Sequence, residues 1–94
     1  MRTLFWSKAF ARAFKRLRKG RPELRQKVER ALQLLAEDPS HPELHIHKLK
    51  GRLAGVWACT VGYDHRILFE VVSGPDSGDE EIVLLTMGSH DEVY

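Results

Sequence analysis

The sequence contains a single cysteine, Cys59, and its apolar stretches, such as residues 82–85, are only a few residues long. One cysteine cannot close an intramolecular disulfide, and no Cys/His pair surrounds it at zinc-ligand spacing. A membrane-spanning helix needs ~20 consecutive apolar residues. We therefore expect neither a disulfide scaffold nor a membrane span, and we expect Cys59 to pack as a small apolar side chain.

The N-terminus lacks the apolar core of a secretory signal, because Arg2 and Lys8 interrupt it early. This pattern predicts a cytoplasmic protein. The composition, with 43% hydrophobic and 30% charged residues, is typical of a soluble globular chain. Its 94 residues are enough for one hydrophobic core. We predict a single domain over residues 1–94.

Positive charge is concentrated in the first third of the chain. Residues 1–30 hold eleven Lys and Arg against Glu23 and Glu29, a balance of +9, whereas residues 31–94 carry −7. A basic surface attracts phosphate backbones but cannot select a sequence. A charge run is also often no more than a solvated face, and that interpretation stays open.

Hydrophobic periodicity predicts two helices after a short first strand at residues 2–6. Ser7 is placed to cap the first helix. Basic residues cover most of this helix, and its apolar residues recur at helical spacing: Phe10, Phe14 and Leu17. Gly20 is expected to end it, and Pro22 to open a second helix that stops at residues 38–39.

Three strands are predicted to follow, at residues 56–61, 66–72 and 81–86. A tight turn at 62–64 and a longer acidic connection at 73–79 separate them. Strands this close together favour an antiparallel meander, which gives an α+β fold of order β-α-α-β-β-β with a helical hairpin packed on a small antiparallel sheet. The aromatic residues on the apolar stripes are expected in the core: Trp6, Phe10, Phe14, Trp57 and Phe69.

Three segments carry a family pattern: His-Lys-Leu-Lys-Gly at 47–51, Tyr-Asp-His-Arg-Ile-Leu-Phe-Glu-Val at 63–71, and Gly-Ser-His-Asp-Glu-Val-Tyr at 88–94. Together they resemble the RelE/ParE superfamily of type II toxins, nearest the YafQ-like mRNA interferases, over nearly the whole chain. The resemblance implies a RelE-like fold and a ribosome-dependent endoribonuclease that inhibits translation by cutting mRNA in the A site. It also implies a cognate antitoxin protein that silences the toxin.

Matched position by position, the resemblance implies an active site of His47, Asp64, His90 and Tyr94. Arg66 matches the arginine that RelE-type toxins place on the equivalent strand. One position departs from the pattern, because some YafQ-like enzymes have a histidine where Thr60 stands. The residue that starts the chemistry is therefore left open.

The residue types suit RNA cleavage without a metal, which needs a base for the 2′-OH, an acid for the leaving 5′-oxygen and a donor for the phosphorane. Histidine serves either proton transfer because its ordinary pKa lies near neutrality. We predict His47 and His90 as the proton-transfer pair, Arg66 as the transition-state stabiliser and Asp64 as an orienting group or alternative base. Tyr94 is expected to stack on a base or donate its hydroxyl. The predicted RNA-binding residues are Lys48, Lys50, Arg12, Lys15, Arg16 and Lys19.

If the strand begins at Asp64, alternation predicts that Asp64 and Arg66 share a face, with His65 on the other one. We expect no role for His41 and His45. The loop histidines lack a carboxylate or thiolate partner at ligand spacing, so neither a metal nor another cofactor is expected.

Two other functions remain open from the sequence. One is a ParE-like inhibitor of DNA gyrase without nuclease activity, and the other is a degenerate toxin kept as an antitoxin-binding module. The expected partners are an antitoxin, the ribosome and mRNA, and no membrane. The free chain is expected to be monomeric and to form a hetero-oligomer with an acidic antitoxin segment that wraps the basic hairpin.

Overall fold

A computed structural model describes residues 2–73 and 80–94. Helices and strands follow in this order: β1 (Thr3–Trp6), α1 (Lys8–Gly20), α2 (Pro22–Glu37), β2 (His47–Lys48), β3 (Trp57–Val61), β4 (His65–Ser73), β5 (Glu80–Ser89) and α3 (His90–Val93). Short 3₁₀ turns occupy Pro42–Leu44 and Gly51–Leu53. The predicted α+β class is confirmed, with the helical hairpin packed on a sheet. Most of the predicted acidic connection, residues 74–79, lies outside the described residues.

The five strands form one sheet of order β1-β5-β4-β3-β2. β3, β4 and β5 make the predicted antiparallel meander. β1, however, pairs in parallel with β5, so the sheet is mixed rather than antiparallel. The reason is that no hairpin links β1 to β5. The chain leaves β1 into α1, and a strand that is not joined by a tight turn is free to pair in parallel.

Local signals account for the helix boundaries. The Ser7 hydroxyl oxygen accepts a hydrogen bond from the Phe10 amide at 3.0 Å and caps α1. The same hydroxyl donates to the Leu85 carbonyl at 2.8 Å and ties the start of α1 to β5. Pro22 occupies the first turn of α2, where its missing N–H has no helical partner to lose.

The main core lies between the helical hairpin and one face of the sheet. Phe10 and Phe69 are buried there as predicted, together with apolar residues of α2 and β5. Trp6 is 45% exposed because β1 is an edge strand, although its ring packs edge-on against Phe10 and Phe14 at 4.8 and 5.1 Å between centroids. Trp57 is partly buried against the same core.

A smaller apolar cluster lies on the opposite, helix-free face of the sheet. Val56, Ala58 and Leu68 are buried there. Val93 of α3 packs on the same cluster, so the C-terminal turn folds over this face instead of extending into solvent. Within residues 2–73 and 80–94, no helix has the length and apolar content needed to cross a membrane.

Candidate active site

The sheet brings His47 and Arg66 to the helix-free face. Arg66 pairs with Thr60 on β3 and with Gly88 on β5, and its neighbour Ile67 belongs to the main core. Because side chains alternate along a strand, Arg66 points away from the helices. His47 pairs with Ala58, which lies in the smaller cluster, so His47 faces the same side.

The C-terminal turn α3 brings in His90 and Tyr94. Ser89 and Glu92 form a reciprocal capping box, in which Glu92 Oε1 accepts a hydrogen bond from the Ser89 amide at 2.7 Å. That bond is the largest of the causes that lower the pKa of Glu92. The His90 amide donates to the Asp64 carbonyl at 3.1 Å, which fixes α3 to the start of β4.

Gly88 lets α3 lie close to the sheet. A Cβ at this position would be 3.1 Å from both Cβ and Oε1 of Glu92 and 3.3 Å from Cγ1 of Val93. These separations are shorter than the optimal van der Waals distance between carbon atoms. Any larger residue would therefore push α3 outward, together with His90 and Tyr94.

Tyr94 bridges the two histidines. Its hydroxyl lies 3.4 Å from Nε2 of His47. Its ring meets the ring of His90 edge-on, with 4.5 Å between the centroids. Two residues 43 positions apart in sequence, His47 and His90, therefore contact the same tyrosine side chain.

The hydrogen bonds of His47 define its tautomer. Nδ1 lies 3.1 Å from the His45 carbonyl oxygen, which can only accept, so Nδ1 carries the proton. In the neutral ring Nε2 then holds a lone pair and faces the hydroxyl of Tyr94. This tautomer makes Nε2 the acceptor nitrogen of His47.

Arg66 is held in place by the backbone beside it. Its Nη1 donates to the His65 carbonyl at 3.1 Å, and the side chain is partly buried. Thr60, the position where some YafQ-like enzymes have histidine, lies directly across from Arg66 on β3. The helix-free face therefore presents a guanidinium, two imidazoles, a phenol and a threonine hydroxyl.

Asp64 lies in the turn that joins β3 to β4, where the sequence predicts it. β4 begins at His65, so Asp64 belongs to the preceding turn, in which Gly62 adopts a left-handed φ of +63°. A face shared with Arg66 required the strand to begin at Asp64, and this condition is not met. Asp64 contacts the site through its backbone carbonyl, which binds the His90 amide.

His65 lies on the helix side of the sheet, opposite Arg66, as alternation predicts. Its half-buried position lowers the pKa of the imidazole, and the nearby charge of Arg21 lowers it further. Lys48 also faces away from His47, because its Nζ lies 5.2 Å from the ring centroid of Trp57, which packs on the main core. Lys50 is exposed just before the second 3₁₀ turn.

The predicted basic surface of α1 is exposed to solvent. Its four candidate RNA-binding residues all lie on the side of α1 away from the core: Arg12, Lys15, Arg16 and Lys19. Arg16 is close enough to Glu92 to contribute to the lowered pKa of that carboxyl.

The other chemically notable residues have structural roles. Burial raises the pKa of the Cys59 thiol to about 12, so it is protonated at neutral pH. The Nδ1 atom of His41 accepts from the Glu43 amide at 3.1 Å and caps a 3₁₀ turn, while His45 takes a left-handed φ of 48°. Among the described residues, no three His, Cys, Asp or Glu side chains cluster as metal ligands.

Sequence reasoning missed the helical turn α3 and the contact made by Gly88. A signal for the turn was present, because Ser89-His90-Asp91-Glu92 has the Ser-x-x-Glu spacing of a capping box. No comparable local signal marks the Gly88 contact, since it depends on how α3 folds over the sheet.

Comparison with known proteins gives a consistent result. A family model described as "Bacterial toxin of type II toxin-antitoxin system, YafQ" matches residues 2–94. No curated protein matches the chain. YafQ from E. coli strain BL21(DE3) has a TM-score of 0.79 at 18% identity, covering 100% of this chain and 99% of that chain.

Two further solved structures share the fold. The E. coli DinJ–YafQ complex matches with a TM-score of 0.78 at 17% identity over 100% of this chain and 99% of that chain. A copper-bound mutant toxin from Helicobacter pylori matches at 0.73 and 27% identity over the full length of both chains. The family match over nearly the whole chain and the shared RelE-like fold lead to one conclusion: the chain belongs to the YafQ family of bacterial toxins of type II toxin–antitoxin systems, within the RelE superfamily.

Proposed function

We propose that the chain is a ribosome-dependent mRNA endonuclease, an mRNA interferase that inhibits translation by acid–base cleavage of RNA. The observation that carries the proposal is the contact of Tyr94 with both His47 and His90 on the sheet face that also holds Arg66. Two imidazoles beside a guanidinium supply the base, the acid and the charge-stabilising donor that this reaction needs.

In the proposed reaction, Nε2 of His47 removes the proton from a ribose 2′-OH. The 2′-oxygen attacks the adjacent phosphorus, and the bond from phosphorus to the 5′-oxygen breaks. His90 donates a proton to that leaving oxygen, and the products are a 2′,3′-cyclic phosphate and a free 5′-OH. The fork of donors on Arg66 stabilises the negative charge on the phosphorane oxygens.

Three residues support the proton transfers. Nδ1 of His90 lies 3.6 Å from Oδ1 of Asp91, and this carboxylate pairs with the imidazole when His90 carries the proton of the acid role. Asp64 acts as a positioning residue, because its carbonyl holds the His90 amide. Tyr94 orients His47 through its hydroxyl and offers its ring for stacking on a base.

RNA binding is assigned to the exposed cations of α1, namely Arg12, Lys15, Arg16 and Lys19. Contacts to phosphates give affinity without sequence choice, which suits a protein that meets its substrate in a ribosome rich in RNA. Lys48, on the opposite face of the edge strand from His47, and Lys50, in the loop after that strand, are proposed to hold the flanking backbone.

An antitoxin is the proposed protein partner, since the similar E. coli YafQ forms a complex with DinJ. An acidic segment that orders on binding would neutralise the basic hairpin and compete with RNA for it. The free chain is proposed to be a cytoplasmic monomer, and the complex a larger hetero-oligomer.

Brief expression followed by primer extension on a reporter mRNA tests the function. Cuts phased with the reading frame, lost in His47→Ala and in Arg66→Ala, are expected. Intact mRNA with double-strand DNA breaks would favour the gyrase inhibitor instead. Normal growth with antitoxin binding intact would favour a degenerate module.

A further inference from the structure

A cleft of about 530 Å³ lies between the start of α2 and the turn that joins β3 to β4. We call it the turn cleft. The residues that matter for its chemistry are Arg21, Glu23, Lys27, Tyr63, Asp64 and His65. Ser89, which directly precedes His90, also lines it. The turn cleft and the candidate active site therefore share a rim at the end of the sheet where β4 begins and β5 ends.

Two cations line the turn cleft without an internal partner. Neither Arg21 nor Lys27 forms an ion pair among the described residues, although ion pairs occur elsewhere in that part of the chain. The Lys27 side chain lies against the turn, since a Cβ at Gly62 would be 3.6 Å from its Cδ and 3.9 Å from its Nζ. Both groups are therefore available to phosphate oxygens.

The turn cleft also offers groups that suit a nucleobase. Tyr63 lines it with a side chain that is 99% exposed, so its aromatic ring is free to stack. His65 lies in its wall, but Nε2 of that ring is buried, so the exposed ring of Tyr63 is the group that a base can contact. Glu23 and Asp64 also line the turn cleft, and their negative charges balance the positive charges of Arg21 and Lys27. Charge alone would therefore not hold a free anion there.

We propose that the turn cleft binds one nucleotide of single-stranded RNA next to the scissile position. The phosphate lies between Arg21 and Lys27, and the base stacks on Tyr63. The strand crosses the shared rim at Ser89 and Asp64 before it reaches Arg66 and His90. This inference rests on the proposed function, because it extends the same RNA path around the edge of the sheet.

The test measures binding of a short fluorescent RNA that carries 2′-O-methyl groups, so that it binds without being cleaved. The variants are Tyr63→Ala and Lys27→Ala, whose side chains lie outside both apolar cores. The control is Lys8→Ala, which removes an exposed charge at the far end of α1 from the turn cleft. Amide spectra recorded during the titration report which residues the RNA touches.

Loss of the stacking ring is expected to weaken binding at least about fivefold. Lys27→Ala should weaken binding. It should also reduce the slope of log affinity against log salt concentration by about the amount expected for one lost phosphate contact. Lys8→Ala should stay within about twofold of the wild type at moderate salt. The amides of Gly62, Tyr63 and Lys27 should shift on titration.

Equal affinity in all three variants, or spectral shifts confined to the helix-free face, would overturn the inference. Wild-type chain that fails to cut translated mRNA is a separate result, and it would count against the proposed function. Because the methylated RNA reports binding alone, the two failures cannot be confused.

Discussion

Replacing Gly88 by alanine tests whether α3 positions the catalytic groups. The added methyl would lie 3.1 Å from two atoms of Glu92 and 3.3 Å from Cγ1 of Val93, against an optimal separation of about 3.5–4.0 Å between carbons. Overpacking of this kind costs about 1–3 kcal/mol when the surroundings cannot yield. α3 is only four residues long and can yield, so we expect it to move outward by a few tenths of an ångström or more while the core stays folded.

Displacement of His90 and Tyr94 by up to ~1 Å is expected to lower kcat/KM by about tenfold to a hundredfold. Gly88→Ala should lower Tm by no more than about 4 °C, because we expect it to lower the free energy of unfolding of the whole chain by less than ~1 kcal/mol. Cleavage of translated mRNA and thermal unfolding are measured on the same samples. Gly20→Ala is the matched control, because an added Cβ there meets nothing within 4 Å. Full activity in Gly88→Ala, or global unfolding of it, would refute this account.

Three further predictions concern stability and reactivity. Phe69→Ala should lower the free energy of unfolding by about 3–5 kcal/mol in urea titrations, because it empties the centre of the main core; a loss below ~1 kcal/mol would contradict its burial. Cys59 should resist thiol reagents at pH 8 until the chain is denatured, because burial raises its pKa to about 12, and rapid labelling of the native chain would disprove this. Burial and Arg21 lower the pKa of His65 in the folded chain. As the pH falls through about 6.5, the unfolded chain therefore takes up a proton on this imidazole before the folded chain does. The free energy of unfolding should therefore decrease from pH 7.5 to 5.5, less so in His65→Gln, and equal slopes would contradict the assignment.

The helices and the meander are predictable because their signals are local. Ser7 and Pro22 mark helix starts, and the apolar spacing that includes Phe10 marks the face that packs on the sheet. The parallel pairing of β1 with β5 is not predictable in this way, because it joins residues nearly 80 positions apart. β2 escapes prediction for another reason, since two residues are too few to show alternation.

The candidate site, like the fold, is predictable from the sequence only in part. The family pattern names His47, Arg66, His90 and Tyr94, but their meeting depends on the register of β2 on β3 and of β4 on β5. Asp64 shows the limit of counting along a strand, because alternation from Arg66 reaches it only if the strand begins there, and β4 begins one residue later, at His65. The sequence can therefore predict which residues matter here better than it can predict their directions.

The most direct test of the proposed chemistry is single-turnover cleavage of mRNA on programmed ribosomes by purified wild-type chain and by His47→Ala, His90→Ala and Arg66→Ala. Each variant is expected to cleave about 10²–10⁴-fold more slowly, while His41→Ala, which removes a histidine that only caps a 3₁₀ turn, should keep the wild-type rate. Wild-type rates in all three site variants would contradict acid–base cleavage at this face of the sheet.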